Sequence, residues 1–148
     1  MDSAALTDDE IDDLRCIAGL MVPASDEYAV PGGDDDIVFA DILASLERDF
    51  GAVRAALHSL MQFAGERIAR IEAPRRAAIA AAYRAAAGPG PAVLERVILR
   101  CYYRDDRVVR SLGQEPRPPF PKGRILEQGD WSLLDPVRRR AKLWRDVP

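Results

Sequence analysis

An all-α fold, a single helical domain of about five helices followed by an extended proline-rich tail, is what this sequence predicts, on three observations. Apolar residues recur at helical spacing through five separate stretches before residue 113. Alanine, the best helix former, is abundant, and no run shows the apolar–polar alternation of a half-buried strand. Five prolines fall between Pro116 and Pro136, a density that neither a long helix nor a central strand accommodates. The expected organisation is a helical domain over 1–113 and an extended strap over 114–148, packing on the body or on a partner. At 148 residues with 48 % apolar composition, the chain suits one domain with a sizeable core.

The first helix starts at Thr7. Thr7-Asp8-Asp9-Glu10 fits a capping box, and the acids of its first turn suit the positive end of the helix dipole. Ile11, Leu14, Ile17, Ala18 and Met21 define its buried face, and Pro23 ends it. A loop of turn formers follows, through Pro31-Gly32-Gly33. Its three aspartates lack the ligand spacing of a calcium loop and read instead as the capped start of a second helix, from about Asp35 to Arg48, with Val38, Phe39, Ile42, Leu43 and Leu46 inward. Gly51 is a candidate break before a third helix carrying Val53, Leu57, Leu60, Met61 and Ala64.

Ala73-Pro74 fits a helix start with proline at the first helical position. This fourth helix, Pro74 to Ala87, is alanine-rich, and its small side chains predict a central packing position. The fifth starts near Pro91 and turns Val93, Leu94, Val97, Ile98, Cys101 and Tyr102 inward. A bend at Asp105-Asp106 precedes a last turn closed by Gly113. Within the tail, a short helix is expected after Asp135-Pro136, through Arg138-Arg139-Arg140.

Charge is divided unevenly. Residues 1–50 hold 14 acids and 2 bases, residues 51–148 hold 10 acids and 19 bases, so a net charge of −3 hides halves of −12 and +9. Such halves fold against each other, present faces to different partners, or are simply two solvated faces.

The chemistry-bearing residues form no motif. Catalytic, cofactor-binding and metal-ligating residues are all expected to be none. Cys16 and Cys101 lie far apart inside helices and read as buried thiols. His58 has no cysteine or carboxylate neighbour in sequence and reads as a surface or satisfied core residue. Asp105 and Asp106 are adjacent, so on a helix they diverge by about 100° rather than facing one another. Arg104-Asp105-Asp106-Arg107 looks internally paired. No apolar run reaches the roughly 18 residues of a membrane span. The acidic N-terminal stretch lacks the basic and apolar regions of a secretory signal, so the expected location is the cytoplasm.

"GLMVPASDEYAVPGGDDD", "CYYRDDRVVRSLG", "PPFPKG" and "GDWSLLDP", in that order, resemble the small third (gamma) subunit of gluconate 2-dehydrogenase-type enzymes. The resemblance implies a helical accessory protein with no cofactor of its own. Its partner would be a larger flavoprotein dehydrogenase subunit of the glucose–methanol–choline class, carrying FAD and acting on sugars or alcohols. Many such small subunits carry a twin-arginine leader, which this chain does not show, so periplasmic location is expected only if a signal-bearing partner exports it.

The tail raises its own question, because Phe120, Ile125, Leu126, Trp131, Leu133 and Leu134 are residues that want burial in a segment that cannot build a core. Proline lowers the entropy lost when a segment is fixed, so an ordered strap is expected. Phe120, Trp131 and Trp144 are its candidate anchors on a partner, with Tyr102, Tyr103 and Arg104 sharing the surface. The alternative is a stand-alone helical interaction module. A nucleic-acid-binding module is a lesser alternative, since its arginines and tyrosines would be opposed by the acidic half.

Overall fold

The computed structural model describes residues 5–118, 123 and 127–142. Among them are seven α-helices and no sheet: α1 (Asp8–Met21), α2 (Asp36–Ala44), α3 (Phe50–Ala64), α4 (Ala73–Ala85), α5 (Pro89–Tyr102), α6 (Asp106–Ser111) and α7 (Asp135–Arg138), with 3-10 turns at Ile68–Arg70 and Trp131–Leu134. The chain divides into two compact units, Met1–Pro116 and Arg117–Pro148.

In the first unit, the helix starts follow local chemistry. Thr7 accepts from the Glu10 N–H at 3.3 Å while Glu10 accepts from the Thr7 N–H at 2.8 Å, the reciprocal capping box. Asp35 caps α2 by accepting from Ile37 and Val38 N–H groups at 3.1 and 3.3 Å. Asp105 caps α6 through the Arg107 N–H at 2.8 Å. That cap turns the expected bend into a true helix boundary and adds α6 to the five helices expected; α7 is the short helix expected in the tail, ending at Arg138 rather than running through Arg140.

α3 and α5 make the most extensive helix–helix contact. Val53, Ala56, Leu57 and Leu60 of α3 meet a core shared with Val93, Leu94, Val97 and Ile98 of α5. Leu14, Ile17 and Ala18 of α1 and Val38, Phe39 and Ile42 of α2 complete it. Burying a side chain of this size stabilises by about 1.5–3 kcal/mol, so this set is the main source of stability.

Three expectations need correction. Helix α2 ends at Ala44 rather than Arg48, and the break lies at 45–49; Gly51 sits inside α3. Helix α4 is peripheral rather than central. Only Tyr83 is buried on it, its hydroxyl donating to the Ala56 carbonyl at 3.1 Å, because alanine side chains are too short to fill a core. Cys101 is buried, but Cys16 is only partly so.

The first loop is held by close backbone approach. An added Cβ on Gly33 would lie 2.5 Å from the Ala18 carbonyl oxygen of α1, so only glycine fits there. Asp13, the one buried charged residue of the described chain, ties α1 to the 3-10 turn. It accepts from Arg67 Nη1 at 2.9 Å and from the Ala69 N–H at 3.0 Å.

In the second unit the described residues form the Trp131–Leu134 turn running directly into α7. Asp130 starts it, accepting from the Ser132 N–H at 3.0 Å and the Ser132 hydroxyl at 2.6 Å.

Candidate functional site

The opposed charges of the two halves meet inside the first unit. Asp35 and Asp105 both accept from Arg107, the shortest contacts being 2.7 and 2.8–3.0 Å. These hydrogen bonds, more than any other influence, hold both carboxyls below their ordinary range. Asp41 receives the Arg104 fork, Nε at 2.6 Å and Nη2 on the other oxygen, and Nη2 also reaches the Ser45 hydroxyl. Asp49 accepts from Arg96 at 2.6 Å and Arg100 at 3.4 Å, while Arg100 also donates to the Ser45 carbonyl at 3.0 Å. On α1, Asp9 pairs with Arg70 at 2.7 Å and Arg15 with Asp36 at 2.8 Å. Arg104 therefore reaches across to α2 instead of pairing within its own tetrapeptide; Arg107–Asp105 is the pair that stays local.

Two thiols and one histidine are the nucleophile candidates. Burial pushes the Cys101 thiol up, opposed by a hydrogen bond from Ser45, and burial does the same to Cys16 against the pull of Arg76. A raised thiol stays protonated at neutral pH and is a poor nucleophile. His58 lies on the exposed side of α3, 3.0 Å from the Gln62 amide. Among the described residues, no group of three or more His, Cys, Asp or Glu side chains is placed to hold a metal ion, and no helix is long and apolar enough to cross a membrane.

A cleft of about 110 Å³ opens between α1, α4 and α5, lined by Ile17, Leu20, Met21, Ala80 and Leu94 with Arg84 and Glu95 among its polar groups. Sites for drug-sized ligands run to about 300–1,000 Å³, so this cleft is smaller than those. More open depressions of about 550 and 490 Å³ lie beside Leu6–Phe50 and beside Phe63–Tyr83.

The residues expected at a partner surface are placed differently from one another. Tyr102 is buried at 5 % exposure, part of the first unit's own core. Tyr103 is exposed and packs edge-on to the Tyr102 ring at 5.3 Å. Arg104 is engaged by Asp41 and Ser45. Trp131 is 61 % exposed, its indole N–H donating to Gln128 at 3.1 Å. Phe120 and Trp144 lie outside the described residues.

Around Trp131, Leu133 is 74 % exposed, Leu134 41 % and Val137 56 %. These aliphatic neighbours were not singled out with Trp131 as partner contacts. The available signal was Asp130-x-Ser132, an aspartate placed to bond the backbone two residues on, followed by Asp135-Pro136 as a helix start. The turn is locally ordered by Asp130, Gln128 and the Arg138–Asp135 pair at 3.2 Å, yet none of its residues is buried.

No family model, no curated protein and no solved structure matches this chain.

Proposed function

We propose that the chain is a non-catalytic small subunit that binds and stabilises a larger flavin-dependent dehydrogenase of the glucose–methanol–choline type, acting on sugars or alcohols. The observation that carries the proposal is the Trp131–Arg138 turn: internally bonded, and presenting four apolar side chains to solvent. Exposed large apolar groups held in fixed geometry mark contact sites rather than core. In this proposal the proline-rich segment from 114 onward is the extended strap that delivers the turn, and FAD belongs to the partner. The choice of a flavoprotein partner rests on the sequence resemblance as a whole, in which "GDWSLLDP" covers the first part of the turn.

The test is affinity purification of the tagged chain from its native cells. A larger yellow protein with a flavin absorbance band should accompany the full chain. It should be lost when the chain is ended after Pro116, while circular dichroism still reports a folded helical body. Retention of the partner by the shortened chain refutes the strap.

A stand-alone helical interaction module is the second proposal, favoured by the same turn. It is separated from the first by a captured partner that lacks flavin. A nucleic-acid partner is disfavoured by Arg100, Arg104, Arg107 and Arg110, all of which are bonded to carboxylates. Absence of a gel shift at low salt would remove it.

A further inference from the structure

We infer that the Trp131–Arg138 turn is a docking peptide whose receiving surface, on a partner protein, is an apolar groove rimmed by carboxylates. This rests on the proposed role of the segment as a partner contact and names the chemistry of that contact. Residues three apart eclipse one another in a 3-10 turn, so Trp131 and Leu134 share one side. In the α-turn that follows, Val137 lies three residues from Leu134 and four from Leu133, which continues the same row. Anchors at such spacing, laid into a hydrophobic groove, are a recurring mode of peptide recognition.

The charge beside that row is basic. Arg138, Arg139, Arg140 and Lys142 follow the apolar residues directly, and all four are exposed. Arg138 shares Asp135 at 3.2 Å. Arg139 and Arg140 make no ion pair among the described residues. The first unit differs sharply, since most of its arginines are bonded to its own carboxylates. A partner complementary to the turn therefore needs an apolar floor for Trp131 and Leu134 and acids beside the arginines. Because Asp130, Gln128 and Asp135 already hold the turn, little further ordering accompanies binding.

The same composition, basic and apolar with a tryptophan, also suits an anionic membrane surface. Binding there scales with the apolar area buried in the headgroup layer, and the described turn offers only Trp131, Leu133, Leu134 and Val137, enough to anchor a peptide in a groove.

The experiment uses the full chain and the protein that copurifies with it, titrated against each other. It is run in parallel with vesicles of phosphatidylglycerol and phosphatidylcholine. Trp131→Ala should weaken the protein complex by about 30-fold or more, as loss of a central aromatic anchor does. The double variant Arg139→Glu/Arg140→Glu should weaken it by about 10-fold at low salt, with a deficit that shrinks as salt rises. Both variants should keep the parent's circular dichroism. A photo-crosslinking group in place of the Leu133 side chain should label a partner segment containing Asp or Glu among apolar residues. Unchanged affinity of both variants, or a labelled segment rich in Lys and Arg, overturns the inference. Vesicle binding that depends on the same residues, with no effect of them on the protein complex, overturns it in favour of a membrane. If a flavoprotein binds but ignores both variants, the docking inference falls and the proposed function stands. If the copurifying protein carries no flavin but responds to both variants, the reverse holds. Capture of nothing by the intact chain overturns both.

Discussion

Replacing Asp13 with alanine removes the one buried carboxylate of the described chain, and the structure fixes what that costs. The Ala69 N–H loses its acceptor, and an unmade hydrogen bond to a half-buried donor costs about 1–3 kcal/mol. Arg67 loses its partner too. A fully buried pair broken on one side costs about 3–5 kcal/mol, but the Arg67 side chain is 25 % exposed and Asp9 remains 3.7 Å away. Solvent and Asp9 recover most of that term, leaving about 1 kcal/mol. The expected loss for Asp13→Ala is therefore about 2–4 kcal/mol. For a domain of this length it corresponds to a fall in Tm of roughly 8–15 °C. Asp13→Asn keeps an oxygen for the Ala69 N–H and loses only the charge, so about 1–2 kcal/mol is expected. Urea denaturation followed by circular dichroism measures both. An alanine variant within about 1 kcal/mol of the parent would refute the reasoning. An asparagine variant as damaged as the alanine one would show that the charge, and not the acceptor, is what matters.

Two glycines should respond in opposite directions. Gly33→Ala drives a Cβ to 2.5 Å from the Ala18 carbonyl oxygen, where backbone must shift, and should cost about 1–3 kcal/mol by denaturant midpoint. Gly51→Ala meets nothing within 4 Å inside α3 and should gain about 0.5–1 kcal/mol; a loss there would show that the helix start needs glycine. The acid limb of stability should depend on Arg107. Asp35 and Asp105 are held below their ordinary range by its hydrogen bonds, so their contribution is complete above the unfolded value near 3.9 and is lost as pH falls through the lower folded values. Arg107→Gln should flatten the pH dependence in that window, and an unchanged acid-unfolding profile would rule the coupling out.

Helix existence and core faces could be read from the chain because their causes are local. The Thr7 box, the Asp35 cap, and the 3.6-residue rows of α1, α2, α3 and α5 are all written within a few residues of where they act. The end of α2 is not. Ser45 gives its carbonyl to Arg100 and its hydroxyl to Arg104, residues more than fifty positions away, and the chain turns there rather than continuing to Arg48. The position of α4 was hidden for another reason. Alanine reports helix propensity and says nothing of burial, so a helix with Tyr83 as its one buried residue looked like a central one.

For the candidate surface, Trp131 was legible by type, and Leu133, Leu134 and Val137 became part of it only once the turn placed them beside it. Tyr102 and Tyr103 show the limit of sequence adjacency. One residue of helical rotation puts the first in the core and the second in solvent.

The division of charge could be counted from the sequence, but what it does depends on exposure. Asp36 is 93 % exposed in its pair with Arg15, and Arg96 59 % in its pair with Asp49. Exposed pairs of this kind contribute about 0–1 kcal/mol each and are screened by salt. The arginine–carboxylate seam therefore fixes which helices face one another more than it stabilises them, and the apolar core supplies the stability. The proposed contact of Arg139 and Arg140 with acids on a partner would have no such core behind it, beyond the few apolar side chains of the turn. Salt should separate the two. Raising sodium chloride to about 1 M, where screening acts within about 3 Å, should shift the Tm of the body by no more than a few degrees while weakening the proposed partner complex by an order of magnitude or more. A body that loses about 10 °C under the same salt would mean that the seam, rather than the core, holds the helices together.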